Sequence, residues 1–277
     1  MPATALFAVL AAALLHASWN LVVKGSSERL VAAAAQVVLG GLVFLPVVIW
    51  RGYPLEVFGY LFASALVQVA YVYTLSTAYD RADLSFVYPL ARGTAPLLLA
   101  VAGLLGLAGA AVSGQGWLAL AMICGGVIAL GLSAESHRGV GWSLLTGLLI
   151  ATYIGIDGTG VRGTDDTFAY TAALYASTAV LLFPLTLVMR GAETVRRALR
   201  LEWKRHLVAG AAGLGSYGLL LYASRLAPLS LVAAARETGV VFATIGGWWF
   251  LNERVTRGRA AASMLIAAGV TLLALGR

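Results

Sequence analysis

The sequence predicts an all-α integral membrane protein, with ten transmembrane helices arranged as two inverted-topology five-helix repeats. Three observations carry that prediction. Of 277 residues, 60% are hydrophobic and only 11% charged, whereas soluble domains carry about 25% charged residues. The apolar residues fall into ten stretches, each near the ~20 residues that span a ~30 Å hydrocarbon core. The second five stretches also echo the first five. Because five is odd, the second run must enter the membrane from the opposite side, the arrangement that secondary transporters use.

The ten stretches are 4–23, 30–50, 57–79, 84–107, 115–133, 140–160, 167–189, 206–226, 229–251 and 258–276. Residues 1–135 form the first repeat and 136–277 the second, together one membrane domain. The first stretch lacks a basic leader and matches the start of the second half. A retained helix is therefore expected rather than a signal peptide. The longest connection, Arg190 to Arg205, is basic and reads as an amphipathic helix lying at the membrane interface.

The repeat can be read residue by residue. Leu14-Leu15-His16-Ala17-Ser18-Trp19 aligns with Leu148-Leu149-Ile150-Ala151-Thr152-Tyr153. Phe44 to Gly52, with a proline and a closing Arg-Gly, aligns with Phe183 to Gly191. Leu84-Ser85 followed by Ala91-Arg92-Gly93-Thr94 aligns, with a one-residue slip, with Leu229-Ser230 followed by Ala235-Arg236-Glu237-Thr238.

Charge sets the orientation. Four basic residues (Arg51, Arg162, Arg225 and Arg277) share the side of the two termini, and thirteen lie on the other side. That bias predicts odd-numbered loops in the cytoplasm of a bacterial cell, both termini outside, and an inner-membrane, multi-pass protein. The net charge of +7 resides in short loops, so it reports topology and not nucleic acid. Neither lysine has the flanks of a nucleotide loop. The histidines His16, His137 and His206 are scattered and no Cys/His metal spacing occurs. Cofactors and catalysis are not expected. A membrane-embedded enzyme would need a cluster of His, Asp or Glu at one face, and an interaction subunit would leave the inverted repeat unexplained.

Ionisable groups inside a membrane cost ~2.5–3.5 kcal/mol on insertion scales and persist where they face a cavity or a partner. Arg92 and Arg236 enter from opposite faces to similar depth, and a guanidinium suits a substrate carboxylate. The alternative is that each bonds carbonyls freed by a kink, since Pro89 and Pro96 bracket Arg92. Asp157, Glu237 and His16 are the candidates for gating or proton coupling. Trp19, Tyr88, Tyr153 and Tyr217 lie deep, where a tyrosine hydroxyl needs a protein or water partner. Asn20, Tyr71, Thr74 and Trp248 complete the candidate cavity. The expected substrate is a small carboxylate-bearing molecule, with amino acids favoured. The other expected partner is the lipid bilayer.

The whole chain resembles the drug/metabolite transporter superfamily in its EamA-type branch. The most specific stretch is Leu226 to Gly269. Its Ala-Pro-Leu-Ser-Leu entry and Phe-Leu-Asn-Glu-Arg-Val-Thr turn are similar to that family's Gly-Glu-Arg-Leu-Thr hairpin. His16-Ala17-Ser18-Trp19-Asn20 also suits the branch. The resemblance implies metabolite transport, often export, and among better-understood members it points to YddG-type amino-acid exporters. Other small metabolites or drugs remain the alternative cargo. The chain departs from the family at Gly106 to Ser113, where the acidic-basic turn is missing from the first half. It departs again in its charge bias, which places the termini outside where many members keep them in the cytoplasm.

Overall fold

The computed structural model describes residues 2–104, 114–132, 137–226, 236 and 238–275, and within these the fold is helical without strands. The helices are α1 (Ala3–Gly25), α2 (Arg29–Arg51), α3 (Phe58–Arg81), α4 (Leu84–Leu104), α5 (Gly114–Leu132), α6 (His137–Gly160), α7 (Thr167–Arg190), α8 (Ala192–Leu201), α9 (Trp203–Leu226), α10 (Gly239–Phe250) and α11 (Arg257–Leu275). Short 3-10 turns, Leu55–Val57 and Val161–Gly163, precede α3 and follow α6.

Five helices among the described residues are long and apolar enough to cross a membrane: α1, α2, α3 with its leading turn, α6 with its trailing turn, and α7. The apolar runs Gln115–Leu130 and Gly239–Phe250 are shorter. The expected span 229–251 lies partly, and the Gly106–Ser113 turn wholly, outside the described residues. The basic connection after α7 folds as α8, with Val195 and Ala198 turned inward and its arginines outward.

Local chemistry fixes the ends of α2 and α7 in the same way. Pro46 and Pro184 each remove one backbone donor within the helix. Gly52 (φ 84°) and Gly191 (φ 77°) then stop the helices in a conformation that disfavours L side chains. Their N–H groups return to the Val48 and Leu187 carbonyls at 3.0 and 2.8 Å. At its start α7 is capped by Asp166, which accepts from the N–H groups of Phe168 (3.1 Å) and Ala169 (2.9 Å).

The most extensive helix contacts pair α1 with α9, α3 with α6, α2 with α7, and α5 with α11. α4 packs against α6 as α10 packs against α1. Small residues permit these approaches. A Cβ at Gly41 would stand 2.8 Å from the Ala179 Cβ. A Cβ at Gly126 would stand 2.9 Å from the Ala262 carbonyl oxygen, and one at Gly269 would stand 2.9 Å from that of Ala119.

Candidate functional site

A cavity of about 450 Å3 lies at the centre of the bundle, walled by α1, α2, α3, α4, α6, α7 and α9. Its inner part is lined by His16 and Trp19 of α1, Tyr71 of α3, Arg92 of α4, Tyr153 of α6, and Arg236. From there it reaches Val161 and Thr167 at the α6–α7 turn. A recess of about 30 Å3, room for roughly one water, continues inward beside Asn20, Tyr88 and Ala91.

Helical spacing positions the α1 groups. The Trp19 indole N–H donates to His16 Nδ1 (3.2 Å) one turn earlier, and the Asn20 amide donates to the His16 carbonyl (2.9 Å). Buried Tyr79 donates its hydroxyl to Asn20 Oδ1 (2.7 Å), joining α1 to α3. Tyr71 and Tyr153 meet edge-on with ring centroids 5.6 Å apart. On the opposite wall the Tyr217 and Thr171 hydroxyls share a 2.6 Å hydrogen bond, and the Tyr217 ring lies 6.1 Å from that of Tyr175. Asp157 accepts from the Tyr170 hydroxyl (2.9 Å), and Gln68 of α3, bonded to Ser64 Oγ (3.3 Å), lines the same cavity.

The cavity therefore carries two guanidinium groups in its inner part and one carboxylate nearer the α6–α7 turn, with aromatic rings between. Such a lining can hold a carboxylate by paired hydrogen bonds and a cation by charge. Ser216, which also lines the cavity, donates its hydroxyl to the Ala12 carbonyl (2.8 Å). Among the described residues no cluster of three His, Cys, Asp or Glu is arranged to bind a metal.

Of the sequence-derived candidates, His16, Trp19, Tyr71, Arg92, Tyr153, Asp157, Tyr217 and Arg236 line this cavity. Asn20 and Tyr88 line only the recess. Thr74 is not among the residues lining either space. It is buried, and its hydroxyl is turned back to the Tyr71 carbonyl (3.0 Å) within its own helix. Trp248 lies in the last turn of α10, 62% exposed, beside the α10–α11 turn, and is not among the residues lining the cavity. Glu237 lies outside the described residues. Cavity residues not foreseen from the sequence are Gln36, Gln68, Tyr170, Thr171, Tyr175 and Ser216. The signal for those on α7 was present: Thr167, Thr171, Tyr175 and Thr178 recur at helical spacing in an otherwise apolar helix.

The helix that carries Arg92 is anchored from a distance. Glu253, in the α10–α11 turn, is buried and accepts from the N–H groups of Leu84 (2.6 Å) and Ser85 (2.9 Å), the first residues of α4. A carboxylate there satisfies donors that no carbonyl can reach and opposes the positive end of the helix dipole. Asn252, at φ 54°, bends the turn so that Glu253 can reach them. Lys24 of α1 supplies the complementary cap, donating to the Tyr79 (2.6 Å) and Ala82 (2.7 Å) carbonyls at the end of α3.

The comparisons agree with this architecture. The model of the EamA-like transporter family matches residues 137–275, half of the chain. No curated protein matches. One solved crystal structure aligns over 99% of this chain and 99% of its own, with a TM-score of 0.65 and 18% identity, a likeness of fold alone. With apolar helices able to cross a bilayer and a family match over half its length, the chain is a multi-pass membrane transporter of small substrates and belongs to the EamA-like transporter family.

Proposed function

We propose that the protein is a secondary transporter of amino acids, aromatic ones included, moving them outward across the bacterial inner membrane by alternating access around the central cavity. The observation that carries the substrate class is the joint lining of one cavity by Arg92, Arg236 and Asp157 with Trp19, Tyr71 and Tyr153. An α-amino acid is a zwitterion. Its carboxylate would take the guanidinium groups, its ammonium would turn toward Asp157, and its side chain would lie against the rings. Asp157 and His16 are the groups suited to carry a coupled proton. The inner-membrane placement rests on the charge bias of the loops, and the outward direction on the family resemblance.

Alternating access requires two related halves. Ten spans in two inverted repeats are supported by reciprocal packing: α1 meets α9 as α6 meets α3. They are supported again within α5 and α11. Ala119, Ile123 and Gly126 have the same spacing as Ala262, Ile266 and Gly269, and each glycine faces the other helix's alanine and isoleucine. Residues 1–135 and 136–277 are then the two halves.

Counterflow of labelled phenylalanine into proteoliposomes tests this reading. Uptake is expected in the wild type, competed by unlabelled phenylalanine, tryptophan and, more weakly, alanine. Arg236→Ala is expected to reduce it more than Arg92→Ala at equal incorporation, because the prolines beside Arg92 offer it carbonyl partners. Failure of every amino acid to compete would remove the substrate class and leave a transporter of other small molecules.

A further inference from the structure

A second concavity lies away from the central cavity. It measures about 380 Å3 and runs between α2, α7, α8 and the start of α9. Ala35, Val38 and Leu39 wall one side, with Phe183, Leu199 and Trp203 opposite. Trp203 and Leu207 are more than half exposed, so the groove opens to the outside of the bundle. At its floor is His206, 3% exposed. Neither of its ring nitrogens makes a hydrogen bond of full geometry among the described residues, although the Ala198 carbonyl faces the ring.

The rim of this apolar groove is basic. α8 packs Val195 and Ala198 against Val31 and leaves Arg196, Arg197 and Arg200 exposed. Leu199, which lines the groove, has Arg196 one turn before it on the same side of α8, and Arg200 follows one turn after Arg196. Lys204 follows, its ammonium 5.7 Å from the centre of the Trp203 ring. Arg196 is paired with Glu193 at 3.4 Å, whereas Arg197 and Arg200 have no ion-pair partner among the described residues. The connection from α2 to α3, which the repeat relates to this region, reads Gly52-Tyr53-Pro54-Leu55-Glu56 and brings no basic residue.

We infer that the groove is a binding site for an anionic phospholipid, with an acyl chain lying between α2, α7 and α8 and the headgroup phosphate at Arg196, Arg200 and Lys204. A zwitterionic lipid would fill the same groove without the net attraction. A soluble phosphate would meet the same cations without the chain's burial. His206 supplies a polar contact for an ester or phosphate oxygen at the floor. The inference depends on the membrane setting and not on the identity of the transported substrate. Its failure therefore leaves the amino-acid reading untouched.

The test uses the full-length protein in a maltoside detergent, titrated with phosphatidylglycerol or phosphatidylcholine of matched chains, with bound copies read by native mass spectrometry. Attraction to a few basic side chains predicts a preference for phosphatidylglycerol of about tenfold. Arg196→Ala, Arg200→Ala and Lys204→Ala together should bring the two lipids to within about twofold of each other. Ala35→Phe, which fills the groove, should reduce binding of both. If the triple variant does not fold, Arg200→Glu alone gives the same reading. Equal binding by the wild type overturns the proposal, as does a preference that survives loss of the charges, or Ala35→Phe binding like wild type. Displacement of the lipid by millimolar glycerol 3-phosphate would identify a free-anion site instead, and also overturns it.

Discussion

Where α3 turns into α4, Lys24 caps the end of one helix and Glu253 the start of the next. Arg259 reaches Asp83 at 3.1 Å and Arg29 reaches Asp80 at 2.5 Å. Where α6 turns into α7, the described residues offer Arg51 with Asp166 at 2.6 Å and Tyr53 with Ser177 at 2.9 Å. The first end joins α1, α3, α4, α10 and α11 through buried or half-buried groups, and the cavity stops short of it. The second end is the one the cavity reaches, through Val161 and Thr167. Among the described residues the first end thus carries more of these polar ties than the second.

The source of the inequality lies in the turn sequences. Residues Gly106 to Ser113 contain no acid or base, while the turn between α10 and α11 carries Asn252-Glu253-Arg254. Only one turn can supply a carboxylate to a helix start. The largest effect on this comparison is expected from Glu253→Ala, which leaves the buried N–H groups of Leu84 and Ser85 without their acceptor. At ~1–3 kcal/mol for each unmet group, melting in detergent should fall by several degrees. A cysteine at position 85, in a Cys124→Ser background, should react with a maleimide several-fold faster than in the Glu253 parent. Unchanged melting and unchanged labelling would mean that this end is held by other contacts.

The next effect tests the symmetry that the ends depart from. A Cβ at Gly126 would meet the Ala262 carbonyl and the Ile266 side chain. One at Gly269 would meet the Ala119 carbonyl and the Ile123 side chain. Overpacking of this kind costs ~1–3 kcal/mol. Gly126→Ala and Gly269→Ala are expected to lower the melting temperature by similar amounts. A large loss from one and none from the other would show that the α5–α11 contact is not reciprocal in energy.

How much of this was legible depended on whether the chemistry was local. The Arg-Gly endings of α2 and α7, each with a proline upstream, stand out in sequence because glycine at positive φ and proline act on their own helix. Arg92 and Arg236 stand out because charge is rare in apolar runs. The Ala-Ile-Gly spacing shared by α5 and α11 was present but hidden, since those residues occur throughout apolar helices. Glu253 was visible as part of a turn, but its contact with α4 spans 169 positions and no local pattern encodes it. Tyr170 gave no sign of its bond to Asp157. Trp248 sits near a helix end, where an aromatic looks the same in sequence whether it faces a cavity or the outside.

The smallest effects come from α2 and α7, which carry the same clasp at both ends. Arg51 follows α2 to Asp166 at the start of α7, and Arg190 follows α7 to Glu28 at the start of α2, at 2.6 and 3.8 Å. All four side chains are partly exposed, and such pairs contribute little. Arg190→Ala is expected to stay within about 0.5 kcal/mol of wild type. The Asp166 clasp has a pH signature instead. The backbone N–H of Ala169 first, then the Arg51 guanidinium, holds its carboxyl below the usual value. A depressed folded-state value gives stability that is present above the unfolded value, near 3.9, and is lost as pH falls through the folded one. Asn at position 166 keeps the helix cap and removes only the charge. The gap in melting temperature between wild type and Asp166→Asn should therefore be small and constant from about pH 8 to 5, and close below about pH 4. Absence of any gap at pH 7 would mean that Asp166 acts through its cap alone, and the two clasps would then be equivalent.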